Sequence, residues 1–349
     1  MRVIVTGGAG FLGTLLCRRL LAGPVGLGGA APADVSRLVV VDLVAPAADV
    51  AADPRVEHLA GELSRTLGDE ADAVFHLAGV VSGAAEADFD AGMHTNLDGT
   101  RAVLEYARGH AVPPVLVFTS SLAVFGSDPA IGPVGTVDDD TLPRPQSSYG
   151  IQKFIGEQLV ADYTRKGFVR GRSVRLMTVS VRPGRPNAAA SSFLSGIIRE
   201  PLAGERAVCP APPDMPVALS SPDRTLDGIL RAAEVDDATW GSRTAMNLPA
   251  LTTTPREMTA ALDRVAGAGT SDLVDWVEDP AVVAIVGSWP PRFETPRAHA
   301  LGLTADASFD DVVRAYQAGC PKIEPDKRHG SFTGAARVGH RIPDAASGS

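Results

Sequence analysis

The chain has 349 residues, enough for one large α/β domain or a nucleotide-binding domain with a smaller lobe, and its 45% apolar and 21% charged residues exclude a disordered chain. Lys and Arg number 32 against 41 Asp and Glu, a net charge of −9 that repels phosphate backbones and anionic lipid, so neither nucleic acid nor a membrane surface is expected as a partner. Cys17, Cys209 and Cys320 stand far apart, the 7 histidines show no paired metal-ligand spacing and no apolar run spans a membrane, so no disulfide framework, no metal site and no transmembrane segment is expected.

A short apolar run at 3–6 predicts a first strand, broken at once by Gly7, so the N-terminus reads as a strand and not as a signal peptide; a cytoplasmic, reduced protein is expected. A helix is predicted over 12–21, an extended loop over 23–36, and a second strand over 38–41 that runs into Asp42. Further strands are predicted at 73–77, 115–119 and 174–181, with helices at 100–108 and 148–164 between them. Apolar runs alternating with helices imply parallel strands buried on both faces, hence an α/β fold with a doubly wound, Rossmann-type parallel sheet. Beyond Pro183 the chain becomes rich in Pro, Ser and Ala, with one short helix at 192–199. A helix at 224–234 and a strand at 245–248 are expected to rejoin the sheet, and helices follow at 252–266 and 309–318. The expected division is a nucleotide-binding domain over 1–182 joined by 223–250, a smaller substrate-binding lobe from 183–222 and 251–324, and a tail over 325–349.

Three groups of residues point to chemistry. Gly7-Gly8-Ala9-Gly10-Phe11-Leu12-Gly13 lies at the first strand–helix junction. There, Gly7, Gly10 and Gly13 permit a tight turn, close approach of backbone to a pyrophosphate and close helix packing, and the helix N-terminus aims free N–H groups at the phosphates. Asp42, at the tip of the second strand, suits the ribose hydroxyls of adenosine and repels a 2′-phosphate, which favours NAD over NADP. Tyr149 and Lys153 fall on one helix face at i and i+4, downstream of Ser121 at a strand end. A free phenol, with a pKa near ~10, is a poor base at neutral pH, and a neighbouring ammonium brings it closer. Lys153 could also hold the nicotinamide ribose, and Ser121 could hydrogen-bond the reacting oxygen.

Together with Phe75-His76-Leu77-Ala78-Gly79, Asn96-Leu97-Asp98-Gly99-Thr100, Thr119-Ser120-Ser121 and Ser148-Tyr149-Gly150-Ile151-Gln152-Lys153, these pieces make the chain resemble the extended short-chain dehydrogenases/reductases, which include nucleotide-sugar epimerases and dehydratases. The resemblance implies that Tyr149 is the proton acceptor, Lys153 its electrostatic partner and Ser121 the third member. It also implies that Phe11, Leu12, Ala78, Gly79 and Asn96 belong to the NAD site and that Glu62 and Leu63 flank the adenine, with Glu62 where an Asp is more usual. The helices at 100–108 and 148–164 resemble those that pair in homodimers of the family.

Within that family, Val80-Val81-Ser82-Gly83, Arg182-Pro183-Gly184-Arg185-Pro186-Asn187 and Gly287-Ser288-Trp289-Pro290 resemble the D-erythronate dehydrogenase group. The implied reaction is NAD-dependent oxidation of the C2 hydroxyl of D-erythronate to 2-oxo-D-erythronate. A four-carbon aldonate needs a small polar pocket with an anchor for its carboxylate. Ser82, Asn187, Ser191, Ser192 and Arg199 are candidates, and Trp289 reads as a packing residue of the small lobe. Two alternatives stay open: a nucleotide-sugar epimerase or dehydratase with tightly held NAD, for which Arg199, Arg206 and Arg224 could hold a diphosphate, and a non-catalytic NAD sensor.

Overall fold

The structure is a computed structural model and describes residues 1–63, 67–184 and 188–319. Its centre is a seven-stranded sheet of β1 (Arg2–Thr6), β2 (Arg37–Asp42), β3 (Val56–Ala60), β4 (Ala73–His76), β5 (Val115–Ser121), β6 (Arg170–Leu176) and β7 (Met246–Asn247). They lie side by side in the order 7-6-5-4-1-2-3, all parallel.

The predicted apolar runs are buried on both sides because successive side chains on a strand point to opposite faces. Val3, Val5, Leu38, Val40 and Phe75 pack with Leu16, Cys17, Ile229 and Ala232 on one face. These last come from the helices α1 (Phe11–Ala22) and, further along the chain, Pro222–Glu234. Ile4, Val39, Val74, Leu116 and Phe118 turn the other way, onto Val103, Leu104, Ala107 and Val160. Those belong to α2 (Gly99–Arg108) and α3 (Ser148–Arg165). Each fully buried Val, Leu or Phe of these faces contributes about 1.5–3 kcal/mol by leaving water.

Two strands differ from expectation. β3 has no continuous apolar run, since Glu57 and His58 interrupt it, and it pairs at the sheet edge, where one-sided exposure tolerates polar residues. The strand predicted at 174–181 is two. β6 begins at Arg170 and carries buried Arg172, Ser173 and Arg175, while Thr178–Val179 leaves the main sheet to pair with Ser220 and Leu219.

The second region holds a three-stranded sheet of Thr178–Val179, Val217–Ser220 and Leu251–Thr253 and a two-stranded one of Ala207–Cys209 and Val274–Trp276. Its own apolar cluster joins Leu194, Ile197, Ile198, Met258, Leu262 and Val313. The helix α4 (Phe193–Leu202) supplies the first three and carries Arg199. Because the strands of the main sheet are parallel, β1, β4, β5 and β6 all end on the same side. The strand order reverses between β1 and β4, and there the flanking helices part to leave a crevice.

Candidate active site

Backbone sterics shape the first wall of the crevice. Gly7 has φ +70°, a conformation that favours glycine, and a Cβ on it would come within 2.8 Å of Ala78 Cα. A Cβ on Gly13 would sit 2.1 Å from the Gly7 carbonyl oxygen, so α1 can start this close to β1 only with glycine there. No side chain caps α1 at Gly10, which leaves the first N–H groups turned to the cleft.

Asp42 closes this end. Its carboxylate accepts from the Ala9 N–H at 3.0 Å and the Val44 N–H at 3.3 Å, tying the tip of β2 to the glycine turn. From here a cavity of about 450 Å³ runs past Glu62, Leu63, Ala78, Gly79 and the residues His94, Thr95 and Asp98. The last three come from a π-helical turn, Met93–Asp98, ahead of α2 that the sequence did not disclose. A dinucleotide fits the residues present: glycines where any Cβ would intrude, free helix N–H groups and an acidic group at the strand tip.

Asn96 does not line the cavity. Buried beneath the 78–81 loop, it accepts from the Val80 N–H at 2.8 Å, donates to the Val80 carbonyl at 3.1 Å and donates to Gln152 Oε1 at 2.7 Å. It therefore holds the loop that forms the cavity wall. Asn96→Ala strands three polar groups, a cost of about 1–3 kcal/mol for each one left unsatisfied. The expected result is a raised KM for NAD, read by cofactor titration at saturating substrate, with a smaller change in kcat. His76, in the quoted motif, is a core residue: Thr6 and Thr100 hydroxyls lie 2.7 and 3.0 Å from its ring nitrogens, and burial pushes its pKa down to about 3, so it is neutral.

A second cavity, about 290 Å³, shares Gly7, Gly10, Gly79 and Val80 with the first. Phe11, Leu12, Gly13, Ser82, Ser121, Tyr149 and Lys153 line it, so the residues expected to act together do converge. Ser121 ends β5, Tyr149 and Lys153 stand on the first turns of α3, and Ser147 caps that helix by accepting from the Gly150 N–H at 3.2 Å. A Cβ on Gly150 would lie 2.1 Å from the Ala123 carbonyl oxygen, and this contact brings the helix against the strand end.

Electrostatics add a second cation to the expected Tyr149–Lys153 pair. Desolvation raises the Tyr149 pKa; a hydrogen bond with Ser121 and the charge of Arg182 oppose that rise. Lys153 Nζ lies 5.8 Å from the Tyr149 ring centroid and donates to the Thr119 carbonyl at 3.0 Å. Burial lowers its own pKa to about 8, against the pull of Glu157. Arg182 thus joins Lys153 as a cation beside the phenol, and motif spacing did not single it out.

The other substrate candidates sort clearly. Ser82 lines the cavity and accepts from the Ala190 N–H at 3.2 Å. Ser191 faces the cavity, whereas Ser192 does not line it and immediately precedes α4. Arg199 also lies off the cavity: it pairs with Glu200 at 2.5 Å and donates to the Arg182 carbonyl at 2.8 Å. Arg206 pairs with Asp275 and Arg224 with Asp227, both away from the site. Asn187 lies outside the described residues. Trp289, expected only to pack, packs against the small lobe and also forms part of the cavity wall with Leu122 and Met177. A cation directly after a strand that leaves the sheet beside the catalytic end was the available signal for Arg182.

Residues 3–216 match the NAD dependent epimerase/dehydratase family. The chain belongs to that family. Its members bind NAD, and NAD is the cofactor that the two joined cavities of this family member accommodate. The chain is 50% identical over 323 residues to D-erythronate dehydrogenase of Cupriavidus necator, covering 90% of this chain and 98% of that protein. It is 39% identical to D-erythronate dehydrogenase of Haemophilus influenzae, over 90% of this chain and 98% of the relative. Among solved structures, a nucleoside-diphosphate-sugar epimerase from Agrobacterium tumefaciens superposes with TM-score 0.81 at 36% identity, covering 91% and 94% of the two chains. No helix among the described residues is long and apolar enough to cross a membrane.

Proposed function

We propose that this family member oxidises the C2 hydroxyl of D-erythronate to 2-oxo-D-erythronate with NAD. The observation that carries the proposal is the meeting of Ser121, Tyr149 and Lys153 at a small cavity continuous with the glycine turn, in a chain 50% identical to a D-erythronate dehydrogenase along nearly all its length. Tyr149 takes the proton of the C2 hydroxyl. Ser121, on the same cavity wall as the phenol, steadies the oxygen as it becomes a carbonyl. Lys153 fixes the end of β5 through the Thr119 carbonyl and faces the cleft with a positive charge. The chemistry that NAD supplies when bound is acceptance of the hydride from C2. Leu122, Met177 and Trp289 give the cavity an apolar wall.

The test is NADH formation by the purified protein with D-erythronate, L-threonate, a longer aldonate and a UDP-hexose, with NADP run in parallel. Turnover of D-erythronate with NAD is expected. Conversion of the UDP-hexose without net NADH would replace the proposal by the epimerase alternative, which the name of the 36% identical structure favours. The same proposal places the enzyme in the cytoplasm, with the nucleotide-binding domain over 1–182 and 223–250 and the substrate lobe over 183–222 and 251–324, as a homodimer paired through α2 and α3. The mass in solution checks the pairing.

A further inference from the structure

We infer that Arg182 is the anchor for the substrate carboxylate, and that α4 holds it in place through Arg199 and Ser195. The inference rests on the reading of the substrate as a 2-hydroxy acid and identifies the residue that recognises the acid.

In a 2-hydroxy carboxylate one bond separates the carboxylate carbon from the carbon that is oxidised. The cation that holds the carboxylate must therefore stand beside the base that takes the hydroxyl proton. Among the described residues, two cationic side chains line the cavity, Lys153 and Arg182. Lys153 already spends one of its three donors on the Thr119 carbonyl and offers only a point charge to an acid. Arg182 is close enough for its charge to act on the Tyr149 phenol, and among the described residues no carboxylate pairs with it. Its Nε donates to the Val179 carbonyl at 3.3 Å, and among the described residues its terminal nitrogens meet no hydrogen-bond partner. A guanidinium presents two parallel N–H groups matched to a carboxylate, a geometry that a lysine lacks.

The backbone of Arg182 is fixed from both sides. Its N–H donates to Ser195 Oγ at 3.0 Å, and its carbonyl accepts from Arg199 at 2.8 Å, with Arg199 itself held by Glu200 at 2.5 Å. Arg199 is thus a positioning residue. A partly desolvated cation with no carboxylate partner, held rigidly beside the base, is costly to keep unless an anion completes it.

The experiment compares D-erythronate with D-erythronamide, which keeps every hydroxyl and loses the charge, in the wild type, R182K and R182M, with NAD present. Removing one partner of a desolvated ion pair costs on the order of 100-fold or more. The wild type is expected to show a KM for the amide about 100-fold above that for the acid. R182M should raise the KM for the acid by a similar factor and that for the amide far less, lower kcat alike for both because the same charge acts on Tyr149, and keep the Kd for NAD, and R182K should fall between. Calorimetric binding of D-erythronate to the protein–NAD complex separates the two layers of inference. A wild type that binds the acid but forms no NADH overturns the proposed reaction and leaves the anchor standing, provided R182K binds the acid more weakly. A wild type that oxidises acid and amide equally well, or an R182K with unchanged KM for the acid, overturns the anchor. No binding and no turnover of the acid by the wild type overturns both. The wild-type comparison and R182K decide the matter even if R182M fails to fold.

Discussion

Tyr149→Phe is expected to lower turnover of D-erythronate by about 10³-fold, within the range of a lost general base, and to leave NAD binding intact. The substitution keeps the ring that lines the cavity and removes only the hydroxyl, whose pKa Ser121 helps to lower. The pH dependence follows from the environment of that hydroxyl. A base works when deprotonated, so kcat/KM should climb with pH, and desolvation, which raises the phenol pKa, puts the climb on the alkaline side. Ser121 and Arg182 both pull the pKa down, so Ser121→Ala should move the climb to still higher pH. Steady-state NADH formation between pH 7 and 10, with calorimetric titration of NAD, measures both effects. A Tyr149→Phe enzyme with more than about a tenth of the wild-type rate would take the proton-acceptor role away from Tyr149.

Arg175→Met is expected to destabilise the protein by about 3–5 kcal/mol, because it leaves a buried carboxylate without its counter-ion. Arg175 and Glu157 are both 2% exposed and meet through two hydrogen bonds of 2.9 and 2.8 Å. Ser120 donates to the same carboxylate at 2.5 Å, and Arg175 reaches Asn247 Oδ1 at 3.4 Å. The pair thus joins α3 to β5, β6 and β7 directly behind the candidate active site. Glu157→Leu combined with Arg175→Met should recover much of the stability, since two apolar side chains of similar size avoid the desolvation of both charges. The double variant has a second, chemical consequence. Burial lowers the Lys153 pKa to about 8 and Glu157 resists that fall, so without Glu157 the ammonium should lose its proton at lower pH. The alkaline limb of kcat should move down accordingly. Urea unfolding reads the first effect, and the pH profile of kcat reads the second. A double variant that regains stability with an unmoved alkaline limb would show that Glu157 acts on the fold and not on Lys153.

The parallel sheet, the glycine turn with Asp42, and the convergence of Ser121, Tyr149 and Lys153 were legible in the chain because each depends on short-range pattern. Apolar runs buried on two faces, a glycine where a Cβ would meet the Gly7 carbonyl, and an i, i+4 pair on one helix face are all local requirements. What pattern could not supply was any property set by partners distant in the chain. β3 went unseen because edge pairing, not apolar periodicity, makes it a strand. Asn96 looks like a ligand of the cofactor until the 78–81 loop is folded over it, 16 residues from Val80 in sequence. Arg199 is the sequence candidate for the anion site, and Arg182, 17 residues earlier in the same segment, is not. Tertiary packing decides between them: Glu200 and the Arg182 carbonyl satisfy Arg199, whereas Arg182 stays in the cavity beside Tyr149 with no acid among the described residues to neutralise it. The sequence by itself determined the fold and the residues that bring base and cofactor together, because local sterics and periodicity carry that information. Which cation meets the substrate was decided only by the tertiary structure, because a charge is free or spent according to the neighbours that folding brings to it.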